Sequence, residues 1–167
     1  MGRGSGVEGF DEAFRDLYPL AFRAAYRMLG TVAEAEDAAA EALARALVRW
    51  STVRHLPYRE AWVLRVAANV AIDMVRRRRV MPATLDAIGD AADATAVRVA
   101  LGAALAALPR RQREVIALRY MADLTEHQVA DAMGIADSSV KEHTKRAMAA
   151  LRRRIGPDFR EDSLALD

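Results

Sequence analysis

Apolar residues recur every three or four positions along most of this chain, and no stretch alternates them one by one. That periodicity predicts helices throughout and an all-α protein. From Phe10 the series Phe10, Phe14, Leu17, Ala21, Ala24 and Met28 keeps helical spacing up to Gly30. Pro19 lies inside it, so a kink or break is expected there. Thr31 is placed to cap a second helix running to about Arg49, with Ala39, Leu43, Ala46 and Trp50 as its inner stripe. Ser51 to Pro57 reads as a loop, because the residue before a proline disfavours helix. A third helix is expected from about Tyr58 to Arg79, its apolar side carrying Trp62, Val66, Ala67, Val70 and Met74. Spacing turns irregular from Val80 to about Ala94, around Pro82 and Gly89. It resumes at Val97, Leu101, Ala104, Leu105 and Leu108. Pro109 suits the opening of another helix, where its missing N–H costs nothing. That helix buries Val115, Ile116 and Leu118 to Tyr120.

The strongest local signal follows. Thr125 with Gln128 three residues later forms a capping box, which satisfies two orphaned backbone donors at a helix start. Val129, Ala130 and Met133 face inward. Gly134 stands where that helix must stop, since it adopts the left-handed conformation without a Cβ clash. Ile135 returns to the core, and a second helix buries Val140, Ala147, Met148 and Leu151. Its outward face carries Ser138, Ser139, Lys141, Lys145 and Arg146. A helical hairpin with a solvated charged face is the plain reading. The cap, the tight turn and the basic stripe together favour a helix-turn-helix whose second helix enters a DNA major groove.

The organisation expected is therefore a disordered lead-in over 1–9, a helical domain over 10–80, a flexible linker over 81–95, a helix-turn-helix domain over 96–155 and a short, frayed acidic tail over 156–167. The 167 residues allow one domain or two small ones. The formal charge is only +2, so any nucleic-acid reading must rest on local clusters. There is no cysteine, which excludes disulfides and cysteine-based zinc sites and suits a reducing cytoplasm. No apolar run approaches the ~20 residues of a membrane span. The glycine-rich start lacks the apolar segment of a signal peptide. His55, His127 and His143 lie in separate segments, and no phosphate loop or poised carboxylate pair is found, so no enzyme and no cofactor is expected.

Two polar faces lie in the first domain. Glu34, Asp37 and Glu41 share one face of the second helix. Acidic residues early in a helix suit its dipole, which accounts for Glu34 and Asp37 but not for Glu41. On its own the stripe reads as solvated. Arg65, Asn69, Asp73 and Arg76 line the third helix, which ends in Arg76-Arg77-Arg78-Arg79. Cations favour a helix C-terminus, but a run of four is more than that purpose needs and fits phosphate.

Ala106-Ala107-Leu108-Pro109-Arg110-Arg111-Gln112-Arg113-Glu114-Val115, followed by Leu124-Thr125 and Val140-Lys141, resembles the fourth region of bacterial RNA polymerase sigma factors. Glu36-Asp37-Ala38-Ala39-Ala40-Glu41-Ala42-Leu43 and the block from Ala61 to Asp73 resemble their second region. Two such blocks and a short linker resemble the layout of the extracytoplasmic-function group. The resemblance implies a sigma factor that binds core polymerase, through the β′ clamp helices and the β flap, and starts transcription at chosen promoters. It implies that Glu34, Asp37 and Glu41 meet the clamp helices. It implies that Arg65, Asn69, Asp73, Arg76 and Arg77 serve the −10 element, with Asn69 beside a flipped-out base. It implies that Ser138, Ser139, Lys141, Glu142, His143, Lys145 and Arg146 face the −35 element. An anti-sigma factor is the implied regulatory partner.

The chain departs from the family pattern in places. Ala40 stands where Gln usually precedes the matching glutamate, and Leu43 where Phe is common. Ala136 replaces the Ser that usually opens the recognition helix, and Asp137 is the substitute cap expected one residue on. Glu142 repels phosphate, although a carboxylate accepts a hydrogen bond from a cytosine amine. Ala40 keeps open a second reading, a two-domain DNA-binding regulator with a sigma fold that does not load polymerase.

Overall fold

The computed structural model describes residues 7–80 and 91–164. Those residues form α1 (Phe10–Leu29), α2 (Val32–Val48), α3 (Trp50–Val53), α4 (Arg59–Val80), α5 (Ala91–Ala106), α6 (Arg110–Ile116), α7 (Glu126–Met133) and α8 (Asp137–Ile155). A π-helical turn, Ala117–Met121, continues α6, and a 3-10 turn, Glu161–Leu164, follows α8. No strand is present among the described residues, and no described helix is long and apolar enough to cross a membrane.

The first half is built on α1, α2 and α4. Alanine makes up much of the α2 inner face: Ala35, Ala38, Ala39, Ala42 and Ala46 are all fully buried. Small side chains let helix axes approach closely, at the cost of little side-chain entropy. Trp50 fills the end of this layer against Phe10, ring edge to ring face at 5.2 Å. Its indole N–H donates to the Glu8 carbonyl at 3.0 Å, so residues 7–9 of the expected lead-in are tied to the body.

Several sequence expectations are corrected here. α1 runs through Pro19 without a break. Pro19 is solvent-exposed, as is Arg15, so the carbonyl that loses its proline-blocked partner faces water. Thr31 sits at the α2 N-cap but does not cap it; its hydroxyl donates to Glu34 instead. The expected loop from Ser51 begins as the short helix α3. α4 has more than one apolar side, since Val63, Leu64, Ile72 and Val75 are also buried. The linker expected over 81–95 falls partly on residues outside the described ones and partly on the first turn of α5. The tail is not frayed: Phe159 and Leu164 are buried in the core, and Arg152 Nε donates to the Phe159 carbonyl at 3.1 Å.

α4 is the spine of the molecule. Its residues enter each of three apolar clusters. One cluster stays within the first half. The largest joins Ala68, Ala71, Ile72 and Val75 of α4 to Leu101 and Leu105 of α5, Leu151 of α8, and Leu164. The third sets Ala61 and Leu64 of α4 and Ala24 of α1 against Val115, Leu118, Val129 and Val140 of the C-terminal helices. The two halves therefore share a core. Apolar burial of this kind is worth roughly 25 cal/mol per Å² removed from water.

The capping box forms as expected. Thr125 Oγ1 accepts the Gln128 N–H at 3.2 Å, and Gln128 Oε1 accepts the Thr125 N–H at 2.8 Å. Gly134 ends α7 at φ 64°, and the Ile135 N–H donates back to the Ala130 carbonyl at 3.0 Å. The π turn had no visible signal in the sequence. It is closed by the Ala122 N–H on the Ala117 carbonyl at 3.1 Å, and Asp123 follows at φ 54° to reverse the chain. Arg27 of α1 donates to the Met121 carbonyl at 3.0 Å, satisfying the end of this turn from the other half. Tyr120 in the turn is pushed up to about 12, by burial first and then by its hydrogen bond to Glu161.

Gly102 of α5 tests the packing of the halves. A Cβ at this position would lie 3.0 Å from the Met28 carbonyl oxygen and 3.2 Å from a Val75 methyl. Gly102→Val must push α5 off α1 and α4, so it should lower stability by about 1–3 kcal/mol. Urea unfolding measures this; an unchanged midpoint would mean that α5 does not pack as described.

Candidate nucleic-acid interface

α8 begins at Asp137, with Ala136 at the N-cap and no side-chain cap. The substitute cap expected of Asp137 is not made, because its carboxylate faces His127 Nδ1 at 3.4 Å. Ser138, Lys141, Glu142, Lys145 and Arg146 are exposed, as the spacing predicts, and Ser139 is half-buried. Two of the cations are already engaged. Arg146 Nε donates to Glu142 at 2.7 Å, and Lys141 lies 3.8 Å from Glu126 of α7. Lys145 has no such partner among the described residues. His143 is half-buried and its Nδ1 is enclosed without a partner, so it belongs less to the outward face than the others. Exposed pairs of this kind contribute about 0–1 kcal/mol, so a phosphate can displace either carboxylate at little cost.

The acidic stripe of α2 is divided. Glu34 is half-buried and bound by Arg78 and Thr31, so it is committed to the fold. Glu41 is exposed and accepts from Arg45 Nε at 2.8 Å. Asp37 between them is exposed and has no ionic or hydrogen-bonded partner among the described residues.

The arginine run is divided too. Arg76 donates to the Ala106 carbonyl at 2.8 Å, capping the C-terminal end of α5, where unpaired carbonyls attract cations. Arg78 binds Glu34. Arg77 is exposed and unpaired among the described residues, and the Arg79 side chain lies outside them. The run therefore serves helix ends as much as phosphate.

Asn69 departs most from expectation. It was placed on an open polar face, but it is half-buried, and its Nδ2 donates to Glu114 Oε1 of α6 at 3.3 Å. Glu114 is only 3% exposed. It also accepts from Arg110 Nε at 3.0 Å, and Arg111 lies 3.7 Å away. Nearby, Tyr58 donates to Asp131 of α7 at 3.3 Å. In this arrangement the proposed base-capturing face of α4 is covered by the C-terminal half. Arg65 and Asp73 remain beside it, with Arg110 and Arg113, in one cleft. The sequence reading missed Glu114, Arg110 and Arg113. The dense charge of Arg110 to Glu114 was the available signal, but its partners lie in another half of the chain.

Comparison with known proteins agrees with this layout. Residues 13–80 match the family model for Sigma-70 region 2, and residues 104–153 match Sigma-70, region 4. The ECF RNA polymerase sigma factor SigL of Mycobacterium tuberculosis is 35% identical over 170 residues, covering 91% of this chain and 94% of the relative. SigM of the same organism is 30% identical over 151 residues, covering 88% and 77%. The RNA polymerase sigma-E factor of Streptomyces coelicolor is 29% identical over 148 residues, covering 86% and 84%. The fold is shared with a solved structure, the sigma factor RpoE in complex with the anti-sigma factor NepR from Bartonella quintana. That match has a TM-score of 0.55 at 20% identity, over 92% of this chain and 100% of that one.

The Asn69–Glu114 contact is testable. Asn69→Ala removes a donor from a buried carboxylate, which should cost about 1 kcal/mol of stability. A urea midpoint identical to that of the wild type would show that the contact carries no weight.

Proposed function

Because the chain belongs to the extracytoplasmic-function group of the sigma-70 family, we propose that its exposed polar faces divide a sigma factor's work between polymerase and promoter. The protein is a sigma factor: it binds core RNA polymerase and directs promoter-specific initiation of transcription. It is a specificity subunit rather than a catalyst, and the proposed compartment is the cytoplasm, where polymerase and promoter meet. α2 meets the clamp helices of β′ through Asp37 and Glu41, while Glu34 supports the face by fixing the end of α4. α8 lies in the major groove of the −35 element and presents Ser138, Ser139, Lys141, Glu142, Lys145 and Arg146, with His143 at the margin. The β flap holds the C-terminal half. Arg65, Asn69, Asp73 and Arg77 meet the −10 element, with Arg76 at its edge.

The observation that carries this reading is Asp37. It is a carboxylate unpaired among the described residues, on the outer face of a helix whose inner face is buried alanine and Leu43. No described residue of the fold uses its charge, whereas a basic groove on a partner would steer toward it and bond to it. Asn69 must be uncovered before it can take a base, so the two halves separate on polymerase. An anti-sigma factor is the proposed regulator, because a partner that held the halves together would keep Asn69 on Glu114.

Asp37→Arg replaces attraction with like-charge repulsion. It should cost at least about 1.4 kcal/mol of binding to core polymerase, a tenfold loss. Fluorescence anisotropy of labelled wild type and variant with core polymerase measures it. Failure of the wild type to bind at micromolar concentration would remove the polymerase reading. Equal binding by both proteins would move the interface off α2.

A further inference from the structure

The cleft between α2, α4 and α6 gathers like charge from both halves of the chain. It encloses about 410 Å³, and five of its lining residues are arginines. Arg45 and Arg49 come from α2 and its C-terminal end, Arg65 from α4, and Arg110 and Arg113 from α6. Asp73 is the single carboxylate lining it. Arg45 and Arg110 have partners in Glu41 and Glu114. Arg49 and Arg65 have no ionic or hydrogen-bonded partner among the described residues. Arg113 is only 7% exposed, and it spends one nitrogen on the Ala106 carbonyl at 3.3 Å, while its Nε is buried with no hydrogen-bond partner among the described residues. Burial first, and then the nearby Arg76, push the Arg113 guanidinium below its ordinary range, against the opposing pull of Asp73 and Glu114.

Apolar burial explains why the halves meet, but not why cations meet where they do. Convergent guanidinium groups across a junction repel unless an anion lies between them. Guanidinium forks match phosphate oxygens two at a time, so the complement is a phosphate compound of several charges. Trp62 is half-buried, packs its inner edge on the first-half core and lines the same cleft. An aromatic wall beside arginines is what a nucleobase stacks on. The volume suits a ligand of nucleotide size.

We propose that this cleft binds a nucleoside polyphosphate, its phosphates on Arg49, Arg65, Arg110 and Arg113 and its base against Trp62. Because the arginines come from both halves, the ligand ties the halves together. Arg65 and Asn69 are also proposed −10 contacts, so an occupied cleft excludes the promoter strand; that consequence alone rests on the function proposed above.

The test uses the full chain, with ATP as the probe. Calorimetry should show saturable one-to-one binding, and ATP should quench the Trp62 part of the intrinsic fluorescence. Arg49→Ala with Arg110→Ala should weaken binding at least tenfold. Both side chains line the surface of the cleft, and circular dichroism checks that the variant folds. Trp62→Phe should remove the ATP-dependent quench while leaving calorimetric binding measurable. Arg153→Ala with Arg154→Ala, on the exposed end of α8, should leave affinity unchanged. Absence of saturable binding would overturn the proposal. So would equal affinity in the cleft variant, or an equal loss in the α8 variant, which would show diffuse attraction only. Displacement of a labelled single-stranded promoter oligonucleotide by ATP tests the consequence separately. Simultaneous binding of both would leave the site standing and remove the exclusion.

Discussion

The packing of Ala61 and Leu64 on Val115, Leu118 and Val129 is the constraint on which the rest of the arrangement depends. α4 packs against both halves of the chain, which leaves it a polar edge, with Asp73 and Arg77 exposed, rather than a free apolar face. Val63 and Ala67 pack on α1 and α2, Ala68, Ala71, Ile72 and Val75 join α5 and α8, and Ala61 and Leu64 meet the helix-turn-helix. Once those contacts form, polar groups across the junction have to find partners, since a buried group left unpaired costs about 1–3 kcal/mol. Arg27 therefore closes the π turn, Arg76 caps α5, and Asn69 bonds Glu114. The apolar contacts set the position, and the hydrogen bonds make it specific.

The same logic explains which charges are left for partners. A carboxylate within reach has taken many of the cations, either on its own helix, as with Glu41 and Arg45 or Glu142 and Arg146, or across a junction, as with Glu34 and Arg78. The solvent-exposed pairs are cheap to exchange. The half-buried ones are not, because removing one partner strands the other. This separates Asp37, Arg77 and Lys145, which no described residue engages, from Glu34, Arg76 and Arg78, which maintain the fold. A polar stripe in sequence thus becomes a working face only where the fold has not already used it.

The clearest local signals, a capping box and a glycine stop, were legible because local physics decides them. The Thr125–Gln128 box and the Gly134 stop depend on residues within a few positions, and both form as expected. The inner stripes of α2 and α8 follow from helical period alone. The Thr31 cap, α3 and the π turn are local departures, but the misreadings that alter the site concern pairs far apart in the chain. Asn69 was assigned an open face because nothing near it in sequence announces Glu114. Phe159 and Leu164 looked like tail residues, yet they reach the main core through a turn set by Arg152. A kink or break was expected at Pro19, but the burial of Leu17, Ala21 and Ala24 on both sides of it keeps α1 continuous. The site residues were legible as residue types on faces; their occupancy by other parts of the chain was not.

The central claim is that the two halves form one body in the free protein. The chain has no cysteine, so spin labels can be placed at Val48→Cys on α2 and Arg153→Cys on α8 without background. Both positions are solvent-exposed and outside the shared core. Electron–electron distance measurement on the free protein should give a single narrow distribution. A broad distribution, of the kind produced by two units on a flexible tether, would contradict the shared core and the covering of Asn69 that follows from it.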